Sequence, residues 1–234
     1  MPTFRWSELA TEAIDPEHSS AAGPVYRGEQ IEVALARYPA GSTVKPHATP
    51  HEQVHSILRG RARYRVGGEE KPVGPGEAVL VRPGVPHGAE ILEELEVVIL
   101  RDAKPEASGV PSVTGGQAFY KWDEMAADFI TPKYSSAHGP TLLGERLEVV
   151  HMFFPAGTEG KLHSHPNEQV QVALKGKAIG IIEGEEFPLA PGGGILFPAT
   201  LTHGARIVED YTVINCKNIV RGWSTYHAAW QKPA

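Results

Sequence analysis

The residues best suited to chemistry are His163, His165, Gln169 and His203, the first three within the run His163-Ser164-His165-Pro166-Asn167-Glu168-Gln169. On an extended strand alternate side chains share a face, with Cα atoms about 6 to 7 Å apart, so His163 and His165 converge. Pro166-Asn167 breaks and turns the strand, and a strand starting at Gln169 brings a carboxamide oxygen back toward the same point. His203 closes a fourth corner. Several imidazoles aimed at one spot are the donor set of a divalent transition metal such as Zn, Fe, Ni or Cu.

The elements that must position these residues are written twice. A shift of 116 takes His47 to His163 and His87 to His203, and it also takes Trp6 to Trp122, Pro16 to Pro132, and Ser19-Ser20-Ala21 to Ser135-Ser136-Ala137. It continues through Pro39-Ala40-Gly41 and Pro155-Ala156-Gly157, then Glu52-Gln53-Val54 and Glu168-Gln169-Val170. His87-Gly88-Ala89 likewise finds His203-Gly204-Ala205. A period of this length is a complete small domain, too long for a solenoid repeat. The expected organisation is an N-terminal domain over 1–102, a Pro-, Ser- and Gly-rich linker over 103–116, and a C-terminal domain with its tail over 117–234. The aromatic residues of that tail, Trp223, Tyr226 and Trp230, read as docking on a neighbouring surface.

Each half opens on a short helical signal, with Ser7 or Asp123 as N-cap and Pro16 or Pro132 as the stop. Strand patterns follow, Gln30 to Tyr38 and Arg146 to Phe154, each ended by Pro-Ala-Gly. The turns at Arg59-Gly60-Arg61 and Lys175-Gly176-Lys177 read as hairpins, and Gly67-Gly68 and Glu183-Gly184 as further tight turns. With 25 Gly and 20 Pro scattered along 234 residues, the chain reads as all-β, many short strands joined by turns.

Composition excludes several classes. A net charge of −6 gives no basic field for nucleic acid, and 41% hydrophobic with 21% charged residues is ordinary for a globular protein. Apolar runs such as Val97-Val98-Ile99-Leu100 fall far short of the roughly twenty residues a membrane helix needs. The first residues show no apolar signal core, and Cys216 is the one cysteine, so a cytoplasmic location without disulfides is expected, with Cys216 in the core.

The spacings Pro-x-Gly-x5-His (Pro39, Gly41, His47; Pro155, Gly157, His163) and Pro-Gly-x10-His (Pro75, Gly76, His87; Pro191, Gly192, His203) resemble those of the cupins, specifically two-domain bicupins. The resemblance implies two tandem jelly-roll-type antiparallel β-barrels, each with a metal among histidines from facing strands. It also implies His163, His165, Gln169 and His203 as ligands, the x3 spacing favouring Gln169 over Glu168, which then reads as a solvated loop charge. His-Pro-Asn-Glu-Gln-Val is similar to the pectin-degradation cupins that linearise unsaturated uronates. The duplicated form is similar to bicupin isomerases of the bacilysin type, which act on a keto acid.

The first half departs from the pattern: Thr49 stands where His165 stands in the second. His47, Gln53 and His87 remain, and His51 or His55 is the available fourth ligand, giving a weaker or altered site or none. Arg61, Arg63 and Arg65 alternate on a strand and read as a solvated face, the alternative being an anion pocket. His151 is an optional polar group for the second cavity.

A neutral Gln169 leaves a divalent charge uncompensated, so the expected partner is a small anionic molecule such as a keto acid or sugar acid. The expected cofactor is one divalent metal (Fe, Mn, Ni, Zn or Cu) in the second domain, with a further one in the first left open. A non-redox metalloenzyme catalysing isomerisation, proton transfer or ring opening is the leading reading. A metal-dependent dioxygenase is the runner-up, and a non-catalytic metal-stabilised binder the third. A homodimer is expected.

Overall fold

A computed structural model of the chain describes residues 2–104, 116–130, 132–220 and 223. Most of the expected linker, and Tyr226 and Trp230 of the tail, lie outside these. The chain forms two compact units, one of residues 6–124 and the other of residues 1–5 with 125–234. Among the described residues no helix is long and apolar enough to cross a membrane.

Each unit pairs a seven-stranded sheet with a four-stranded one, and every pairing is antiparallel. In the first unit the large sheet runs Phe119–Lys121, Glu77–Val81, Gln53–Arg59, Leu95–Asp102, Ile31–Tyr38, Ala22–Arg27, Thr11–Ala13. The small one runs Thr43–His47, His87–Ile91, Ala62–Val66, Glu69–Val73. The second unit repeats this order with strands 116 residues on, apart from its edge strand. β-Branched, apolar alternation makes these segments strands, and facing rows close the core: Ala36, Ile57 and Val97 from one sheet meet Ala62, Val66 and Ile91 from the other. Cys216 is buried and forms no disulfide.

The edge strands are exchanged between the halves. Thr3–Arg5 pairs with Gly193–Phe197 of the second unit, while its repeat counterpart Phe119–Lys121 pairs with Glu77–Val81 of the first. The registers are equivalent, Thr3 opposite Ile195 and Phe119 opposite Val79. As the strands stand, a Cβ at Gly193 would lie 2.1 Å from the Phe4 carbonyl oxygen, whereas the first unit makes the same pairing with Glu77 at the equivalent position.

Two local expectations are corrected. The opening helical segments are single 3₁₀ turns, Trp6–Glu8 and Trp122–Glu124, and short strands Thr11–Ala13 and Ala127–Phe129 occupy the rest. A segment this short does not repay helix nucleation, whereas pairing with Ala22–Arg27 or His138–Leu143 satisfies its backbone at once. The turn at Gly60 joins strands of different sheets, so it is a crossover and not a hairpin; Gly176 repeats it. Gly67-Gly68 does close a hairpin, with φ of 57° and 92° and Val66 opposite Glu69, the positive pair that a two-residue turn demands.

Candidate metal centre

In the second unit the strand Glu159–His163 runs against His203–Ile207, and His163 sits directly opposite His203. His165 lies two residues past the strand end, and Gln169 opens the strand Gln169–Lys175. The three imidazoles converge, with ring centroids 4.6 Å (His163–His203), 4.7 Å (His165–His203) and 5.6 Å (His163–His165) apart. One ligating nitrogen from each lies within 4.8 Å of the others. Tyr134 stacks on His163 and Phe197 on His203, which fixes both rings.

Backbone carbonyls set the tautomers. Nδ1 of His163 donates to the Lys161 carbonyl at 2.7 Å, that of His165 to Asn167 at 2.9 Å, and that of His203 to Leu201 at 2.9 Å. A carbonyl only accepts, so each proton is on Nδ1 and each Nε2 presents a lone pair. Burial, aided by nearby Lys217, pushes the His165 pKa down to about 3. Burial likewise takes His203 to about 4 and lowers His163. All three rings are therefore neutral near pH 7. His203 Nε2 is buried with no hydrogen-bond partner, and Gln169 Oε1 lies 3.2 Å from His165 Nε2. An orphaned lone pair beside two facing acceptors is the environment a divalent cation completes, so this donor set fits a metal.

Gln169 faces the imidazoles and lines their cavity; Glu168 does neither. Glu168 is nonetheless buried, so the solvated reading of it is corrected. His151 is also absent from the lining: Met152 and Phe154 point inward and alternation turns His151 the other way. The sequence reading missed Lys217. It is buried on Tyr211–Asn218 opposite both Gln169 and Glu148, and it lines the cavity. Burial lowers its pKa to about 8 against the opposing pull of Glu148. Its repeat counterpart is Arg101, ion-paired with Glu32, and that parallel was the available signal.

The first unit is built differently. His47 again lies opposite His87, with ring centroids 4.2 Å apart. Gln53, however, is engaged on both sides: its amide donates to Thr49 Oγ1 at 3.1 Å, and its Oε1 lies 3.1 Å from His55 Nε2. The other nitrogen of His55 is 3.1 Å from the Tyr64 hydroxyl, and Thr49 donates onward to the His51 carbonyl at 3.2 Å. A directed chain Tyr64, His55, Gln53, Thr49, His51 results, with every member satisfied. Burial holds the His55 pKa down at about 3, so its ring is neutral. His51 is held by its Nδ1 on the Asp102 carbonyl at 2.6 Å. Sequence reading also passed over Asp15 and His18, which the structure brings against His47. This unit holds the larger cavity, about 350 Å³ against about 50 Å³ in the second. Arg61, Arg63 and Arg65 are solvent-exposed and pair with Glu93, Glu90 and Glu70, so that row is a solvated face.

A model of the cupin domain matches residues 34–100 and again 150–214. The chain belongs to the cupin family. No functionally curated protein sequence matches this cupin. Among solved structures it is similar to AerE from Microcystis aeruginosa, at 18% identity and a TM-score of 0.73, covering 91% of this chain and 97% of that one. It is also similar to a glyoxylate-induced protein from Pseudomonas aeruginosa, at 14% identity and TM-score 0.72, covering 86% and 82%. Oxalate decarboxylase from Bacillus subtilis follows at 14% and 0.68, covering 94% and 77%. At these identities the likeness is one of fold, and it extends over both halves of the bicupin.

Proposed function

We propose that this bicupin binds one divalent transition metal through His163, His165, His203 and Gln169 and uses it in non-redox chemistry on a small carboxylic acid. The observation that carries the reading is the convergence of three neutral imidazoles and a neutral carboxamide beside the buried cation of Lys217. When bound, the metal supplies a Lewis acid that polarises a carbonyl or carboxylate oxygen and favours its enolate-like form.

The chain's own residues do the rest. No ligand in this set carries charge, so the centre attracts an anionic oxygen. Lys217 provides a second positive group for the substrate carboxylate, with Glu148 beside it offsetting part of the cost of its burial. Met152, Phe154 and Phe197 give the remaining wall an apolar surface. The cavity of about 50 Å³ suits a molecule of a few heavy atoms. A small acid, oxalate, is the substrate named for one of the fold's neighbours, oxalate decarboxylase, for which Mn(II) centres are also described.

The test is turnover of a panel of keto acids, dicarboxylates and sugar acids by metal-stripped protein reloaded with Zn(II), Ni(II) or Mn(II). Turnover that persists with Zn(II) and consumes no O₂ supports the reading. Strict dependence on O₂ and Fe(II) moves the chain to the dioxygenase class. Intact turnover in His163→Ala overturns the assignment of this centre.

A further inference from the structure

We propose that the first unit carries its own divalent-metal site built from Asp15, His18 and His47, with His87 beside them, in place of the set that Thr49 and Gln53 would occupy in a strict repeat. The carboxylate and two imidazoles each offer a ligand atom within 4.8 Å of the others. Nδ1 of His47 donates to the Lys45 carbonyl at 2.8 Å, so in the neutral ring Nε2 bears the lone pair, and that nitrogen faces Asp15 Oδ2 at 3.2 Å. Two acceptors at this distance need a proton or a cation between them. Adjacent ligands of a tetrahedral site are about 3.3 Å apart when each bond is about 2.0 Å, so the gap has the right size for a metal. His18 Nδ1 lies 3.0 and 3.2 Å from the two Asp15 oxygens, and His87 turns its Nδ1 to the Val85 carbonyl, leaving its Nε2 as donor.

Comparison of the halves strengthens this. The shift of 116 takes Asp15 to Thr131 and His18 to Tyr134. In both halves one backbone bond clamps this loop to the first histidine's strand, Lys45 N–H to the His18 carbonyl at 2.8 Å and Lys161 N–H to the Tyr134 carbonyl at 2.7 Å. In both, the ring so placed stacks on that histidine, His18 on His47 at 4.1 Å with 14° between the planes and Tyr134 on His163 at 4.9 Å, so His18 must tilt out of its stack for its Nδ1 and His47 Nε2 to aim at one ion. Only in the first half is the stacked ring an imidazole, and only there is the later histidine replaced, by Thr49. Each half thus keeps three imidazoles, drawn from different elements. The carboxylate gives this site one negative charge that the second lacks, which suits a cation held firmly. A nitrogen-rich set with one carboxylate selects Zn(II), Co(II) or Ni(II) over Mg(II) or Ca(II). The site opens on the cavity of about 350 Å³ that Arg101 also lines, leaving room for an added anion.

The experiment is Co(II) loading of the chelator-stripped full chain, read by metal per chain and visible absorption. His163→Ala with His203→Ala removes the second centre. That chain should retain one Co(II), Gln53→Ala added to it should leave affinity nearly unchanged, and Asp15→Thr with His18→Tyr should weaken it about 100-fold or more. These last replacements install the second half's own residues, so folding should persist, checked by circular dichroism. No retained metal in the cleared chain, if folded, overturns the proposal, as does retention insensitive to Asp15 and His18. If the cleared chain does not fold, the wild type decides: two metals falling to one with Asp15→Thr and His18→Tyr supports the site, and a stoichiometry those changes leave unaltered overturns it.

Discussion

His165 Nε2 and Gln169 Oε1 face each other at 3.2 Å with no proton between them. The His165 proton is on the other nitrogen, committed to the Asn167 carbonyl, and burial keeps the ring from taking a second. A turned carboxamide would remedy this pair alone, whereas a cation remedies it and also partners the orphaned His203 Nε2. The first half shows the other solution: Thr49 in place of the histidine accepts from Gln53, and the polar groups close on themselves.

Metal binding should therefore stabilise the protein through these residues. At a metal concentration 100 to 1,000 times Kd the gain is about 3 to 4 kcal/mol. Removing metal with a chelator should lower Tm of the wild type. In His165→Ala or His203→Ala the part of that drop due to this centre should vanish, read by differential scanning calorimetry with metal analysis.

The pH dependence of the stripped protein has a defined sign. The folded-state pKa values of His165 and His203, about 3 and about 4, lie below the roughly 6.5 of an unfolded histidine. Between those limits the unfolded chain binds more protons, so stability rises with pH. These two groups should destabilise the fold as pH falls from about 6.5 toward 4. Urea midpoints at successive pH values should show this slope, reduced in His203→Gln.

Lys217 is expected to act on substrate and not on metal content. Lys217→Met should raise KM for a carboxylate substrate by roughly 10- to 100-fold, the scale of one charge-assisted hydrogen bond, with metal stoichiometry unchanged. Lys217→Arg, which copies Arg101 of the first half, should recover part of the loss. Steady-state kinetics with parallel metal analysis separates these outcomes.

The relay in the first unit makes a stability prediction. Tyr64→Phe leaves His55 Nδ1 without its 3.1 Å partner in a buried place and should cost about 1 to 3 kcal/mol. Chemical denaturation measures it, and Co(II) affinity at Asp15 and His18 should stay unchanged.

Exchange of the edge strands is testable at Gly193. A methyl group there would meet the Phe4 carbonyl at 2.1 Å, so Gly193→Ala must displace Thr3–Arg5 or strain the sheet. The expected loss is about 1 to 3 kcal/mol. Faster amide exchange at Phe4 and Ile195, followed by NMR, would localise it.

The sequence by itself determined what local pattern and repetition can carry. The 116-residue shift, the strand alternation, the Gly67-Gly68 turn and the spacing of His163, His165 and His203 are all written in neighbouring residues, although parity on a strand covers only His163 and His203, since His165 lies two residues past the strand end. Tertiary structure alone decided which edge each short strand would join, and that the turn at Gly60 changes sheets, since pairing is chosen by contacts far away in sequence. It alone brought Lys217 to the second cavity and Asp15 and His18 to His47. A single ionisable residue has no periodicity of its own, and its role is fixed only when another part of the chain folds against it.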